Sequence, residues 1–207
     1  MTTVNTVREK GSYALGVGVV GNLRQGGIDF DPDVFLLGIK DVLSGKKLLL
    51  TNEELQSAVA ALQQEMQQKH ETEQKALGEE NKKNGDDFLA ANKTKQGIIT
   101  LPSGLQYKIV KQGTGPKPLP TDTVECHYRG TLIDGTEFDS SAKHGQAAIF
   151  PVGAVIAGWV EILQSMPVGS KYEVFVPADL AYGESSPTPA IGPHSTLVFD
   201  IELLSIK

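Results

Sequence analysis

The sequence has one cysteine, no excess of positive charge and no long apolar run, and each of these shortages excludes a class of protein. Cys126 alone can form neither an internal disulfide nor a thiolate zinc site. With 19 Lys and Arg against 25 Asp and Glu, the net charge of −6 disfavours sequence-independent nucleic-acid binding. No apolar stretch approaches the ~20 residues of a membrane span, and residues 1–11 lack the apolar core of a signal peptide. We therefore expect neither a membrane span nor a nucleic-acid partner.

Proline and aromatic residues are scarce in the first half of the chain. Ten of the 11 prolines and nine of the 13 aromatic residues lie after residue 101. Before that point Gln, Glu, Lys, Ala and Leu dominate, and these residues favour helices. Gly97 and Pro102 interrupt helical continuity where the composition changes. The predicted fold class is therefore α+β, with an all-helical N-terminal region followed by a domain of strands and turns.

Two helices are predicted before residue 46. The first carries apolar residues at helical spacing and ends at Gly26-Gly27. The second begins at Asp31-Pro32, because Asp31 can cap the helix and proline fits its first position, and it stops at 44–45. The apolar residues that define the first helix are Tyr13, Val17, Val20 and Leu23.

A long third helix is predicted from the T-x-x-E capping box of 51–54 to about residue 91. Its length is ~60 Å at 1.5 Å per residue. Residues 63–75 are nearly all polar, which is typical of a helix that bridges domains in solvent. Gly78 and Gly85 weaken the helix, so we expect some bending there.

The second part of the chain alternates apolar and polar residues, which predicts strands. Asp134-Gly135, between Leu132-Ile133 and Thr136-Phe138, is a hairpin signal. A short apolar helix containing Trp159 is predicted over 155–164. These elements predict a curved antiparallel sheet around one short helix. The predicted strands cover 105–110, 123–129, 171–176 and 197 to the C-terminus.

Residues Gly16 to Gly21 match the G-x-G-x-x-G pattern of dinucleotide sites. Such a site requires a strand before the motif and a βαβ unit around it, and neither is predicted here. We interpret these glycines as small residues that let two helices approach closely. An NAD-dependent oxidoreductase stays an alternative that rests on this match alone.

The pair Cys126-His127 resembles a nucleophile and its base. Adjacent residues of a strand point to opposite faces, so the two side chains cannot share a hydrogen bond, and we interpret Cys126 as a core residue. The histidines also lack the spacing of metal ligands, so we expect neither a metal nor a cofactor. These histidines are His70, His127, His144 and His194.

Six short motifs in the second part carry a more specific signal. In their order and spacing they closely resemble the FKBP-type peptidyl-prolyl cis-trans isomerases, over residues 103–207. The upstream stretches are similar to the macrophage infectivity potentiator (Mip) subgroup of that family, so the resemblance covers essentially the whole chain. The six motifs are Tyr128-Arg129-Gly130 and residues 132–141, 155–159, 166–170, 181–183 and 197–200, and the upstream stretches are 12–23, 27–29 and 81–102.

The resemblance implies a V-shaped homodimer in which the N-terminal helices interlock and a long helix holds each isomerase domain away from the dimer core. It implies a dimerisation domain over 1–50, a connecting helix and linker over 51–102, and an isomerase domain over 103–207. The implied partners are unfolded or flexible proteins that contain proline, a second copy of the chain, and macrolide inhibitors of the FKBP class.

The resemblance also implies which residues form the site. Trp159 would form the floor of an apolar cleft, and Asp139, Tyr182 and the backbone N–H of Ile156 would hold carbonyl and hydroxyl groups of a ligand. The implied catalytic residues are Tyr128, Phe138, Asp139 and Tyr182. The implied substrate- and macrolide-binding residues are Phe150, Val155, Ile156, Trp159, Ile191 and Phe199.

The chemistry of proline isomerisation fits these residue types. Rotation about the peptide bond has a barrier of ~18–20 kcal/mol because resonance gives the C–N bond double-bond character. No bond is broken, so no nucleophile or metal is required. An apolar cleft that favours a twisted amide over a planar one lowers the barrier, and moving the carbonyl out of water weakens the resonance.

The sequence departs from the well-known single-domain members at the edge of the implied cleft. Pro187 and Ala190 stand where those proteins have a histidine and a larger aliphatic residue, and Ala148 stands where they have an aromatic one. We therefore expect altered substrate preference and altered macrolide affinity, with activity retained.

A second function stays open beside isomerisation. The dimer could act chiefly as a chaperone with catalysis secondary, because two linked clefts raise the effective concentration for a chain held at both. The location is also open. The missing signal segment favours the cytoplasm, whereas the resemblance favours the cell envelope (periplasm or outer-membrane surface), with Met1 in place of a removed signal. Of the two, we expect the envelope.

Overall fold

The computed structural model describes residues 3–207, and the chain divides after Glu71 into two compact units. The first unit contains α1 (Val7–Gln25), α2 (Pro32–Ser44) and the beginning of α3 (Asn52–Asn92). The second unit contains the rest of α3, an antiparallel sheet and a short helix. Among the described residues, no helix combines the length and the apolar character needed to cross a bilayer.

Side-chain caps explain where the first two helices begin. The Glu9 N–H donates to the Thr6 hydroxyl at 3.2 Å, and the Glu9 carboxylate accepts from the Thr6 N–H at 2.8 Å. This capping box places the start of α1 at Val7. The spacing of apolar residues alone, which begins at Tyr13, indicated a later start. At α2, Asp31 accepts from two backbone N–H groups, as predicted.

The predicted C-terminal end of α2 and the predicted start of α3 are both confirmed. Gly45 closes α2 in the left-handed conformation, at φ 66°. Thr51 and Glu54 form the reciprocal hydrogen bonds of a capping box, at 2.7 and 3.2 Å. α3 then runs without interruption for 41 residues.

Helices α1 and α2, which both lie in the described part of the chain, bury none of their residues. Burial of an apolar face is what normally stabilises a helix in a globular protein. The first unit therefore has apolar surface but no core from these two helices. Large apolar side chains that α1 and α2 leave exposed include Tyr13, Leu15, Val17, Val34, Val42 and Leu43.

The G-x-G-x-x-G motif lies within α1. A Cβ atom added at Gly16, Gly18 or Gly21 would meet nothing within 4 Å. A dinucleotide site needs a strand immediately before the motif, and a continuous helix from Val7 through Gly21 takes its place. This geometry removes the oxidoreductase alternative.

The second unit is organised by one seven-stranded antiparallel sheet. Its strands are β1 (Ile98–Thr100), β2 (Gln106–Lys111), β3 (Thr123–Leu132), β4 (Glu137–Ser140), β5 (Ala148–Pro151), β6 (Lys171–Val176) and β7 (Leu197–Ile206). Their order in the sheet is β1-β2-β6-β7-β3-β4, with β5 also paired to β3. β7 lies along one side of β3, and β4 and β5 pair with different parts of its other side. Register shifts interrupt several strand pairs, and such bulges bend a sheet.

The four predicted strands are confirmed as β2, β3, β6 and β7. We missed β1 and β5, which have three and four residues, because such short segments show no recognisable alternation. The predicted helix over 155–164 is corrected to α4 (Ala157–Leu163). Val155 and Ile156 lie outside it in extended conformation, at ψ 176° and 150°.

The core of the second unit lies between α4 and the sheet. A Cβ atom at Gly158 would lie 2.5 Å from Cγ1 of Val176 in β6, so only glycine allows the helix to approach this closely. The fully buried side chains include Leu105, Val124, Ile162, Leu163, Met166, Val174, Val176, Leu197, Ile201 and Leu203.

The second half of α3 belongs to the same compact unit as the sheet. The side chain of Phe88 lies 5.9 Å from that of Phe175, between ring centroids. The buried Asn92 amide donates to the Gln106 side chain at 3.0 Å, and the Gln106 amide donates to the Leu89 carbonyl at 2.9 Å. The unit boundary at Glu71 thus lies inside the 51–102 segment, and the proposed division into three segments stays a prediction.

The face of α3 that meets the sheet unit consists mainly of glycine and amide side chains, with Phe88 as its large apolar member. Successive members of this face are three or four residues apart, as one helix face requires. A Cβ atom at Gly85 would lie 2.3 Å from the hydroxyl of Thr196, so the glycines expected to bend α3 are points of close approach. The least exposed residues of this face are Gln74, Gly78, Asn81, Gly85, Phe88 and Asn92.

Replacement of Gly85 by alanine tests this contact. Alanine in an exposed helix adds up to ~1 kcal/mol of stability relative to glycine. Here we expect Gly85→Ala to lower the free energy of unfolding by about 1–2 kcal/mol, because the new methyl group collides with buried Thr196. Urea denaturation measures it, with exposed Asn84→Ala as the control. Stabilisation by Gly85→Ala would contradict the close contact.

Candidate functional site

An aromatic cluster surrounds Trp159 on the first turn of α4. Its ring lies 5.6 Å from Tyr128, 5.3 Å from Phe150 and 5.2 Å from Phe199, between centroids. These contacts are edge-to-face, an arrangement that aromatic pairs favour. Phe138 extends the cluster through an edge-to-face contact with Phe199 at 5.7 Å.

Trp159 forms the base of this cluster, with 5% of its surface exposed. Its indole Nε1 is buried and, within the described residues, has no hydrogen-bond partner. An unpaired buried donor costs roughly 1–3 kcal/mol, so such groups are uncommon in structural cores and call for an explanation.

A polar pair lies at the edge of the aromatic cluster. The Tyr128 hydroxyl donates to Oδ2 of Asp139 at 2.5 Å, and the Ser140 N–H donates to Oδ1 of the same carboxylate at 2.8 Å. Nε2 of His144 lies 3.3 Å from Oδ1. Asp139 is thus an oriented acceptor beside an apolar surface, and its side chain is still 42% exposed.

The hydrogen bonds hold Asp139 in its ionised form. Partial burial acts to raise the pKa of this carboxyl, but hydrogen bonds from Tyr128, Ser140 and His144 outweigh it and lower the pKa below the ordinary value. Burial, the hydrogen bond to Asp139 and the nearby Tyr182 together raise the pKa of Tyr128 far above its ordinary value. The phenol therefore stays a donor and the carboxylate an acceptor at neutral pH.

The remaining predicted site residues lie around this centre. Tyr182 is 40% exposed and directly follows Ala181, which packs against the apolar cluster that contains Trp159 and Phe199. Ile191 is buried and packs with Trp159 and Phe199 in one apolar cluster. Val155 and Ile156 are half-buried against the same cluster. The role of each residue in binding or catalysis stays a prediction.

Three residues that shape the centre were not identified as site residues. Gly130 is required because a Cβ atom there would lie 2.6 Å from the Phe138 ring and 2.9 Å from Phe199. In the sequence His144 is considered only for metal binding, whereas in the structure it pairs with Asp139. Ser140 orients Asp139 through its backbone, a contact with no sequence signal. Gly130 alone could have been suspected, from its place in the motif that follows Tyr128.

The remaining candidates of the sequence do not form a second centre. Cys126 is buried in the core, and burial raises the pKa of its thiol to about 12. Its neighbour His127 instead lies 3.2 Å from the Ser141 hydroxyl. Among residues 3–207, no group of three His, Cys, Asp or Glu side chains could hold a metal ion.

The chemistry available at this centre is that of non-covalent binding. An apolar aromatic surface withdraws a ligand from water, and the carboxylate and hydroxyl groups at its edge orient polar groups of that ligand. The buried thiol is not positioned to act as a nucleophile. The arrangement suits a reaction in which shape and solvation change while covalent bonds stay intact.

Comparison with known proteins matches both parts of the chain to described domains. Residues 8–109 match the domain amino terminal to FKBP-type peptidyl-prolyl isomerase. Residues 115–204 match the FKBP-type peptidyl-prolyl cis-trans isomerase domain.

Individual relatives match over nearly the whole chain. Outer membrane protein MIP of Legionella longbeachae is 50% identical over 206 residues, which are 100% of this chain and 88% of that protein. The FKBP-type 22 kDa peptidyl-prolyl cis-trans isomerase of Escherichia coli (strain K12) is 40% identical over 99% of this chain and 98% of its own. The crystal structure of FkpA from Escherichia coli matches with a TM-score of 0.79 at 32% identity, covering 99% of each chain.

Removal of the Tyr128 hydroxyl tests the electrostatics of the centre. In Tyr128→Phe we expect the pKa of Asp139 to rise toward its ordinary value of 3.8, because the shortest hydrogen bond to the carboxylate is lost. Carboxyl-detected NMR titration measures the pKa. Tyr107→Phe, which alters a ring stacked on Tyr172, is the control.

The same hydrogen bond links stability to pH. A depressed folded-state pKa means that the ionised carboxylate contributes stability above the ordinary pKa of 3.8, and that this contribution is lost as the pH falls through the lower folded value. The stability difference between wild type and Tyr128→Phe should therefore narrow on acidification. A difference that is constant with pH would show that Asp139 is held by other groups.

Proposed function

This chain belongs to the FKBP-type peptidyl-prolyl cis-trans isomerases, and on that premise we propose that it acts as a homodimer on X-Pro bonds of flexible protein chains and so assists their folding. The isomerase activity and the similarity to Mip proteins, predicted from sequence motifs, are confirmed by the family and by its relatives. The residues that perform the reaction, the dimer and the folding role are the proposal.

The observation that carries the proposed site is the aromatic base of Trp159 beside the Tyr128–Asp139 pair. A proline ring on this base would be enclosed by the rings of Phe138, Phe150 and Phe199. Burial of apolar area contributes roughly 25 cal/mol per Å², so a proline ring is a suitable anchor. The chain on either side of the proline would extend past the half-buried Val155 and Ile156.

The catalytic step follows from the difference between a planar and a twisted amide. The planar amide is stabilised by charge-separated resonance, which water supports through the carbonyl oxygen. An aromatic surface that excludes water weakens this support, and the Tyr182 hydroxyl can donate to a carbonyl whose orientation changes during rotation. Asp139 accepts from the Tyr128 hydroxyl and can also accept from N–H or hydroxyl groups of a ligand. No proton or electron pair is transferred.

The segment after Tyr182 supports a substrate preference of its own. Residues 185–190, including Pro187 and Ala190, are exposed beside the proposed cleft. Smaller side chains at this edge leave more room for the residues that flank the substrate proline. The same change alters the contact surface for FKBP-class macrolides, for which we propose binding with an affinity different from that of the single-domain members.

Dimerisation is supported by the exposed apolar surface of the first unit. Val42 and Leu43 are 67% and 82% exposed, and Tyr13 is 66% exposed. Apolar surface of this extent on helices without a core is typical of an interaction site. A second copy of the same unit offers a matching surface, as the closed symmetry of most soluble oligomers requires.

Gly16, Gly18 and Gly21 fit an interface between helices of two copies. Each has open space around it within one chain, so packing inside this chain does not explain it. Three glycines inside a helix cost up to ~1 kcal/mol each relative to alanine. Close approach of a partner helix would offset that cost.

The location that we propose is the cell envelope. Its support is the relative that is 50% identical over this entire chain and is named an outer membrane protein. Cell fractionation with an antibody against the native protein tests this, and recovery in the cytoplasmic fraction alone would contradict it.

Substitutions at Asp139 and Tyr182 test the site. We expect Asp139→Ala and Tyr182→Phe each to lower kcat/KM on a short Ala-Pro or Leu-Pro peptide, by about tenfold for Asp139→Ala, because a charge-assisted contact is lost. Protease-coupled turnover measures the rate, with Asp86→Ala on α3 and Tyr107→Phe as matched controls. Unchanged turnover in both site variants would exclude these residues.

The Asp139→Ala protein also separates isomerisation from the chaperone alternative. If the variant suppresses aggregation of an unfolded protein as well as wild type does, while peptide isomerisation is lost, substrate holding is the principal role. Loss of both activities would indicate that one cleft serves both.

Replacement of Gly18 by leucine tests the dimer. A leucine side chain at a close helix contact should weaken dimerisation by about 5- to 150-fold, because overpacking costs roughly 1–3 kcal/mol. Peptide isomerisation should be retained, since the proposed cleft lies in the other unit. Sedimentation equilibrium measures association, and Lys69→Leu, in the polar stretch of α3, adds the same side chain as a control. An unchanged dimer constant would place the interface elsewhere.

A further inference from the structure

Ile191 belongs to a segment that lies between strands, and Tyr182 directly precedes that segment. Residues 183–195, here named the rim loop, connect Tyr182 to the start of β7 and contain Ile191. The loop is closed at its base by a 2.7 Å hydrogen bond from the His194 N–H to the Gly183 carbonyl, and the Ile191 N–H donates to Thr188 at 3.1 Å. A further bond, from the Gly183 N–H to the Ala178 carbonyl at 2.9 Å, ties the start of the loop to the preceding turn, but none of these bonds attaches the end that follows Ile191 to another element.

The attachment comes from α3. Nδ2 of Asn81 donates to the carbonyl oxygen of Pro193 at 2.9 Å and lies 3.5 Å from the Ser195 hydroxyl. Asn81 is only half exposed, and the Ser195 hydroxyl donates in turn to the Gly192 carbonyl at 2.8 Å. One amide of α3 thus holds the end of the loop that follows Ile191 directly.

Glycines on both sides allow this attachment to be close. A Cβ atom at Gly192 would lie 2.9 Å from Nδ2 of Asn81 and 3.2 Å from the Leu77 side chain. On the helix, a Cβ atom at Gly78 would lie 3.1 Å from the His194 ring. The backbone of each element therefore packs closely against side chains of the other, and small shifts of one are transmitted to the other.

The backbone of the loop is also constrained at the same place. His194 has a φ of 53°, a left-handed conformation that non-glycine residues adopt at a cost. Such a conformation persists only where the surroundings enforce it. The surroundings of His194 are its bond to Gly183, the Pro193 carbonyl held by Asn81, and the face of α3 at Gly78.

We propose that Asn81 is a positioning residue for the isomerase site: through Pro193 it holds the rim loop, and so places Ile191 and Tyr182 against the aromatic centre. The inference rests on the proposed function of the cleft. It makes the second half of α3 part of the catalytic unit rather than a spacer. It also assigns a reason to the amide at this position, since a carboxylate cannot donate to a carbonyl.

The full-length variant Asn81→Asp tests the proposal with little change in shape. Asn84→Asp, three residues along the same helix and exposed, introduces the same charge and serves as the control. Asn81→Ala, paired with Asn84→Ala, repeats the comparison without a charge. Two quantities are measured for each protein: native-state amide exchange of Ile191 and His194, and kcat/KM on peptides that differ only in the residue before proline.

We expect both Asn81 variants to accelerate exchange at Ile191 and His194 by about tenfold, because one hydrogen bond that closes the loop is lost. Core amides such as Val174 should exchange at the wild-type rate. We also expect kcat/KM to fall about three- to tenfold, and by different factors for the Leu-Pro and Ala-Pro peptides. Both Asn84 variants should stay within about twofold of wild type.

Other outcomes overturn the proposal. Unchanged exchange at Ile191 and His194 would show that Asn81 does not hold the loop. Faster exchange of every amide in residues 72–207 would show a general stabilising role. If loop exchange becomes faster while kcat/KM stays within twofold of wild type on both peptides, Asn81 holds the loop but the loop does not position the site. The Asp139→Ala variant tests the proposed cleft separately. A wrong assignment of the cleft can therefore be distinguished from a wrong role for Asn81.

Discussion

The proposed site depends on two glycines, Gly158 and Gly130, against which neighbouring side chains pack so closely that a Cβ atom would not fit. At Gly158, α4 meets β6 with room for a hydrogen atom only, and this sets the depth at which Trp159 enters the core. At Gly130, β3 leaves space for the Phe138 ring against Phe199. A side chain at either position would move an aromatic ring out of the cluster. The lack of a Cβ atom at Gly158 and Gly130 therefore determines the shape of the aromatic cluster, because the rings occupy the space that a side chain would fill.

On this apolar base the polar groups are few, and apart from the unpaired Trp159 indole the main pair, Tyr128 and Asp139, satisfy each other. Burial alone would favour a neutral Asp139, and the donors around it reverse that preference. The same carboxylate keeps the Tyr128 phenol protonated, so each partner stabilises the protonation state that the other needs. A reaction without proton transfer benefits from groups whose charge does not vary near neutral pH. The protonation states of Tyr128 and Asp139 are therefore constant near neutral pH.

Much of the fold could be predicted from the sequence because its signals are local. The Asp31 and Thr51 caps, the alternation in β6 and β7, and the Asp134-Gly135 turn depend on neighbours within a few residues. The short strands β1 and β5 could not be predicted, since only pairing with longer strands supports them. The contact face of α3 was largely hidden because glycine and amide residues make most of it, and only Phe88 belongs to the apolar stripe that the sequence shows. The site residues came from motif resemblance, while Ser140 and His144 became visible only through the distances to Asp139.

The position of Cys126 has a consequence for the chemical surroundings that the protein tolerates. Its thiol is buried in β3, and with a pKa of about 12 only a fraction of ~10⁻⁵ is thiolate at pH 7. Peroxides and disulfides react with the thiolate, so the folded chain has almost no oxidisable sulfur at this position. Cys126 packs in the sheet as a small apolar residue. Its burial also encloses the chain's single thiol, which could otherwise form a disulfide between two molecules. The folded protein is thereby indifferent, at this residue, to whether its compartment is oxidising or reducing.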